Sequence, residues 1–483
     1  MNDYACRGFP SSARRDTIRE GSHRTTGGAR HMEHLDAIVI GMGPGGETVT
    51  DRLLSAGRRV AVVERELIGG ECGYWACIPT KVLLRPPEVR AEAVGAAGVD
   101  DPALDWPALR AYRDQMIRHL DDAKQVEGYR ERGALVLRGE ARIVGRDPWR
   151  VAVGDTEHTA EHVVVATGAG VLVPPIDGLD DLGPDVLWTN REATTLTEIP
   201  ESALVVGGSA VGVELGQFLA RMGSRVTIVQ RGPRLLDRED PRLCELIGEQ
   251  FDRDGITVHL ESQVTSVARQ GEGVAAILSG GERVRTEVLV LATGREPRGD
   301  QLGLTELGVE LDGKALPVDE HCRVAPGLWA AGDVTARAMF THVAKYQGRV
   351  ISANILGNGQ VADYTAVPRV VFAYPEVAAV GLTAEQARDQ GMDVATAETD
   401  LTAALARPWT METDPSGALG LVADREHGVL VGAWAFGPLA SEWIHTAALA
   451  IRTGLPIGAL RDTIPQFPTF NEGYLIALEA LDV

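Results

Sequence analysis

The chain has 483 residues, room for about three domains at roughly 150 residues each. Hydrophobic residues make up 44% and charged residues 24%, which excludes wholesale disorder, and no apolar run reaches the roughly 18 residues of a membrane span. Asp and Glu number 68 against 47 Lys and Arg; a net charge of −21 repels phosphate backbones, so nucleic acid is not an expected partner.

Residues 1–33 come first in chain order. Their Arg-, Ser- and Gly-rich leader lacks the apolar centre of a secretory signal and is expected to be a disordered extension, with Cys6 idle in it. The five cysteines (Cys6, Cys72, Cys77, Cys244 and Cys322) are too few for a disulfide framework and point to a reducing, cytoplasmic setting. From Leu35 a short β-branched run, a glycine turn, a helical stretch and a second β-branched run follow one another. The same order returns at Leu204, with the leading glycines Gly41 and Gly207 166 residues apart. Strand, turn, helix, strand is the unit of a doubly wound α/β domain.

The first turn reads Gly41-Met-Gly43-Pro-Gly-Gly46. Gly41 permits the tight turn, Gly43 lets a pyrophosphate approach the backbone, and Gly46 lets helix and strand pack closely. Glu64 closes the next strand, 18 residues after Gly46, where a carboxylate accepts from ribose hydroxyls. The second turn, Gly207-Gly-Ser209-Ala-Val-Gly212, has a serine in the middle, small and with a hydroxyl able to reach a phosphate. Its strand ends in Gln230, followed by Arg231 and Arg234. A neutral side chain beside two cations suits a 2′-phosphate, so NADPH is favoured over NADH.

Cys72-Gly-Tyr-Trp-Ala-Cys77-Ile-Pro79-Thr-Lys81 follows eight residues after Glu64. Pro79 suits a first helical turn, which puts Cys77 at a helix N-terminus, where the dipole and Lys81 depress a thiol pKa. Two such thiols beside a nucleotide site form a thiol–disulfide exchange couple. A metal site and a pair of inert structural cysteines are the alternatives.

This segment resembles the redox-active disulfide motif of the class I pyridine nucleotide–disulfide oxidoreductases, a family that includes dihydrolipoamide dehydrogenase, glutathione reductase and mercuric reductase. The likeness continues in order over about residues 35–480. The Gly41 turn resembles the family's FAD site, and Ala166-Thr167-Gly168 its first Ala-Thr-Gly strand. The Gly207 turn resembles its NAD(P) site, and Ala292-Thr-Gly294-Arg295-x-Pro297 its second Ala-Thr-Gly. Ala331-Gly-Asp333 is similar to the motif whose Asp holds the FAD ribityl chain. Val367 to Phe372 and Pro375 to Gly381 resemble the start of the dimerisation domain.

The resemblance implies an α/β chain with two doubly wound nucleotide-binding domains and a C-terminal α+β dimerisation domain. The FAD domain would be discontinuous, 34–184 and 296–362, with the NAD(P) domain at 185–295 and the interface domain at 363–483 of a homodimer. It also implies that Cys77 lies next to the flavin, that Cys72 attacks substrate, and that Lys81 near flavin N5 is paired with Glu214. Electrons would run from NADPH, or NADH, through FAD and the Cys72–Cys77 disulfide to a small disulfide.

One motif departs. The family's disulfide reductases carry a His before Pro-Thr near the C-terminus, with a Glu five residues on, to protonate the leaving thiolate across the dimer. Here the stretch is Gln466-Phe467-Pro468-Thr469-Phe470-Asn471-Glu472, so Glu472 is present and Phe467 replaces the His. A phenyl ring transfers no proton, a loss worth on the order of 10²–10⁴-fold. His445 and Tyr474 are the candidate substitutes, with Glu472 assisting. The departure also fits a different acceptor, a quinone or another nicotinamide reduced directly from the flavin. Mercuric reductases add a vicinal Cys pair at the C-terminus that this sequence does not show, so mercury is a disfavoured substrate.

Overall fold

The computed structural model describes residues 34–483; the expected extension and Cys6 lie outside the described residues. An eight-stranded sheet runs Arg323–Ala325, Leu328–Ala330, Thr156–Val165, His34–Ile40, Val60–Glu64, Leu135–Arg138, with the hairpin Ala141–Gly145 and Trp149–Val153 joined to Thr156–Val165. Its central pairings are parallel, Ile40 opposite Val63 on one side and Val165 on the other. Every residue of Val60–Glu64 is buried, which is why the run is almost wholly Val and Ala instead of alternating with polar residues.

A five-stranded parallel sheet repeats the design, in the order Thr257–His259, Arg225–Val229, Ser202–Val206, Val288–Leu291, Leu187–Trp188. Beside it lies the antiparallel sheet Val264–Gln270, Gly273–Leu278, Arg283–Thr286. The short pair Ala169–Val171 and Arg295–Pro297 joins the segments that follow the two Ala-Thr-Gly strands. In both parallel sheets the helix after the glycine turn (Pro44–Ser55, Ala210–Arg221) returns over the sheet, burying Val49 and Leu53 in one and Val213 and Leu219 in the other.

From Pro368 the pattern changes. Five antiparallel strands (Pro368–Val371, Glu376–Gly381, Val429–Gly437, Ala418–Asp424, Val394–Asp400) are covered by the helices His445–Thr453 and Glu472–Ala480. Ala378, Leu419, Leu421 and Ala435 pack there against Ala447, Ile451, Ala477 and Leu478. Among the described residues no helix is long and apolar enough to cross a membrane.

Candidate active site

The first glycine turn forms one wall of a cleft of about 670 Å³. Gly41 has φ +94°, and a Cβ on it would lie 2.4 Å from the Ala166 carbonyl oxygen; a Cβ on Gly46 would lie 2.0 Å from the oxygen of Gly41. Only glycine fits either place. A Cβ on Gly43 would meet nothing within 4 Å, so here the backbone is open to a bulky group. Gly43 starts the helix Pro44–Ser55 with no side-chain cap, leaving first-turn amides free for an anion. Buried Glu64 accepts from the Met42 and Glu66 N–H groups, each at 2.8 Å, and keeps lone pairs on both oxygens for further donors. These features fit a dinucleotide on its pyrophosphate and ribose, and the cleft volume is in the usual cofactor range of about 300–1,000 Å³.

The same cleft gathers Gly41, Gly43, Glu64, Cys72, Cys77, Lys81, Thr167, Gly168, Glu214 and Asp333, with Gly46 packed behind Gly41. Cys77 begins the helix Cys77–Gly95, with Pro79 in its first turn, as the sequence reading expects. Both cysteines are free thiols. The Cys77 Sγ lies 3.3 Å from the Thr341 hydroxyl oxygen. Hydrogen bonding from Cys72, aided by Thr341 and the charge of Lys81, pulls the Cys77 thiol well below its ordinary range against the opposing effect of burial. The Cys72 thiol moves the other way, because it shares its proton with Cys77 and because it is buried. The two directions favour Cys77 over Cys72 as the more acidic thiol of the pair.

Lys81 reaches this wall from one turn further along the helix. Its Nζ donates to Glu214 Oε2 at 2.7 Å and stands 4.5 Å from the centre of the Phe372 ring. The other Glu214 oxygen accepts the Phe372 N–H at 2.9 Å, so this buried carboxylate is held by a cation and an amide together. Asp333 also lines the cleft. Burial pushes its carboxyl up, and the Arg295 guanidinium, 3.5 Å away, works against that rise.

Several participants carry no sequence signal. Thr341 touches Cys77 from 264 residues away. The loop between the cysteines is held by the helix Asn190–Thr195: the Trp75 carbonyl accepts from Asn190 Nδ2 at 2.8 Å and Thr194 Oγ1 at 3.2 Å. The Arg191 guanidinium lies 4.2 Å from the Trp75 ring centre and binds Glu66 and Glu71. The capping box Thr189-x-x-Glu192 announces this helix in the sequence, though not what it grips.

The second turn repeats the first. Gly207 has φ +112° with a Cβ 2.4 Å from Ala292 O, and a Cβ on Gly212 would lie 2.0 Å from Gly207 O. Gly294, after the second Ala-Thr-Gly strand, has φ +119°. Ser209 differs from the sequence reading: its hydroxyl donates to Ala292 O at 2.8 Å and accepts from Gly212 N–H at 3.4 Å, so its proton is committed to the backbone and not held out for a phosphate. Arg231 is exposed, whereas Arg234 has its Nε buried without a hydrogen-bond partner, an orientation the two-cation reading did not foresee.

Glu472 and the cleft are not brought together within one chain. Glu472 opens the last helix, where its carboxylate accepts the Thr469 N–H at 3.0 Å, and Phe467 beside it is 66% exposed. Tyr474 is buried and donates to the Trp443 carbonyl at 3.1 Å, so it is no proton donor for a substrate. His445 is exposed and does not line the cleft. No group of three or more His, Cys, Asp or Glu among the described residues is placed to hold a metal ion.

Two dinucleotide turns joined by a cleft with an unequal thiol pair define a nicotinamide-dependent flavoprotein oxidoreductase. The pyridine nucleotide-disulphide oxidoreductase family profile matches residues 35–348, and the profile of that family's dimerisation domain matches 367–477. The chain is 36% identical to a mercuric reductase of Streptomyces lividans, over 92% of this chain and 95% of the relative. It is 34% identical to a dihydrolipoyl dehydrogenase of Thermus scotoductus, over 93% and 98%. Among solved structures, the HOCl-induced flavoprotein disulfide reductase RclA of Escherichia coli matches with a TM-score of 0.81 and 27% identity, over 92% of this chain and 99% of that one. LpdA of Mycobacterium tuberculosis matches with a TM-score of 0.83 and 26% identity, over 92% and 99%. The chain belongs to the pyridine nucleotide–disulphide oxidoreductases: it is an FAD-dependent, NAD(P)H-dependent oxidoreductase with a dimerisation domain.

Proposed function

We propose that the enzyme passes reducing equivalents from NADPH or NADH to a small disulfide through Cys72 and Cys77. The observation that carries this reading is the pair itself: Cys72 and Cys77 both line the wall of the Gly41 cleft. Bound there, FAD supplies a two-electron carrier between the nicotinamide and the thiols. The Gly41–Gly46 turn and its helix would hold the pyrophosphate, Glu64 the adenosine ribose, Asp333 the ribityl hydroxyls, and Thr167 and Gly168 the cofactor's flank. Lys81, balanced by Glu214, would place a cation beside the ring. Gly207, Gly212, Gln230, Arg231 and Gly294 would hold the nicotinamide nucleotide, with Ser209 and Arg234 shaping the turn.

In the half that reduces the substrate and reoxidises the enzyme, the Cys72 sulfur gives up its proton and attacks one sulfur of the substrate disulfide. That bond breaks, a mixed disulfide forms, and the first thiolate leaves with a proton, assisted by Glu472 and water across the homodimer interface. The Cys77 thiolate then attacks the Cys72 sulfur, restores the Cys72–Cys77 disulfide and releases the second thiol. The division of labour would follow residues 34–184 with 296–362 for FAD, 185–295 for NAD(P)H and 363–483 for the interface, in a cytoplasmic, reducing setting.

Phe467 favours a second reading. With no acid at that position, a quinone or a second nicotinamide reduced directly at the cofactor needs no leaving thiolate. Replacing Cys72 separates the two: a Cys72→Ser enzyme loses disulfide turnover by at least about 10³-fold if the thiol is the nucleophile, and keeps quinone turnover. Disulfide turnover undiminished in Cys72→Ser refutes the thiol route.

A further inference from the structure

The two glycine turns are built alike, so the residue ending one strand shows what its counterpart meets. In the first turn, the amide after Gly41 donates to the Glu64 carboxylate at 2.8 Å. In the second, the amide after Gly207 donates to Gln230 Oε1 at 3.0 Å. Gln230 therefore occupies the place of Glu64, at the ribose end of the turn.

Gln230 does not stand alone. Its Nε2 donates to Asp237 Oδ2 at 3.2 Å. Asp237 is exposed. The loop that brings it back is fixed, since Leu236 N–H donates to Gly208 O at 2.8 Å and Glu261 N–H to Gly232 O at 3.0 Å. Gly232 makes room for the contact: a Cβ there would lie 2.4 Å from Asp237 Oδ2 and 2.8 Å from Gln230 Nε2.

We propose that Asp237 is a specificity-determining residue of the nicotinamide nucleotide site, returning to the strand end, through Gln230, the carboxylate that Glu64 supplies in the first turn. A carboxylate there accepts from a free 2′-hydroxyl and repels a 2′-phosphate, while exposed Arg231 attracts that phosphate. The two opposite charges keep NADH usable at a site whose strand end, read alone, suits NADPH. This rests on the reading that the Gly207 turn takes the nicotinamide nucleotide.

The test is calorimetric binding of NAD⁺ and NADP⁺ to the FAD-loaded protein, with kcat/KM for NADH and NADPH measured beside it. Asp237→Asn keeps an acceptor for Gln230 and removes the charge; it is expected to raise the affinity ratio of NADP⁺ to NAD⁺ about tenfold. Gly232→Ala, which forces the carboxylate off Gln230, should move the ratio the same way, and Arg231→Ala the opposite way. A ratio within twofold of wild type in Asp237→Asn overturns the proposal. Failure of both coenzymes to bind the wild-type protein would instead overturn the reading of the Gly207 turn, and the proposal with it.

Discussion

The cleft and the C-terminal corner around Phe467 differ in how far one chain satisfies its own side chains. In the cleft the charged groups are matched from several elements: Lys81 with Glu214, Arg191 with Glu71, Arg295 with Asp333. At the corner Ile464 is 97% exposed and Phe467 66%, and Glu472 is satisfied only by its own backbone turn. A monomer does not expose such side chains together without reason. The dimerisation-domain profile spans residues 367–477, this corner included, and on the proposed function a second copy would cover it. On the proposed function, electron storage would lie within each chain and proton delivery at this corner, where Phe467 stands in place of the usual acid.

The comparison breaks most severely at the glycines. Gly46→Ala drives a Cβ to 2.0 Å from a backbone oxygen, so purified protein is expected to keep less than about a tenth of its flavin, read from visible absorbance. Gly212→Ala makes the same clash in the second turn; it should keep its flavin and lose reduction by NAD(P)H. Phe467→His tests the corner. If disulfide turnover is limited by the leaving thiolate, the new acid should raise kcat about 10–100-fold, with quinone turnover unmoved.

The smallest effect concerns acidity in the cleft. The lowered Cys77 thiol remains a thiolate until pH falls through its depressed pKa, and is protonated below that point. Lys81→Met removes one cation that stabilises it, so the pH midpoint for alkylation of the reduced enzyme should rise by about one pH unit. An unchanged midpoint would mean that Cys72 and Thr341 hold the thiolate without Lys81.

Where a local rule leaves only one residue type, the sequence was readable. The turns at Gly41 and Gly207 demand glycine at fixed spacing, and both have the backbone clashes that explain it. Cys77 at a helix start was legible through Pro79. What escaped depends on chain segments meeting after folding: Thr341 against Cys77, the Asn190–Thr195 helix against Trp75, Asp237 on Gln230. Pro86 and Pro87 lie inside the helix Cys77–Gly95, where propensity alone would end it; packing of Leu83, Leu84 and Pro87 overrides that preference. Ser209 was read for its hydroxyl when its first use is as a helix cap, a local bond that competes with any ligand.

The most direct measurement is a thiol count under denaturant, before and after one equivalent of NADPH is added without oxygen. The account predicts that two further thiols per chain become titratable on reduction of the oxidised enzyme, and that Cys72→Ser shows no increase. A cofactor fully bleached by NADPH with the thiol count unchanged would contradict it.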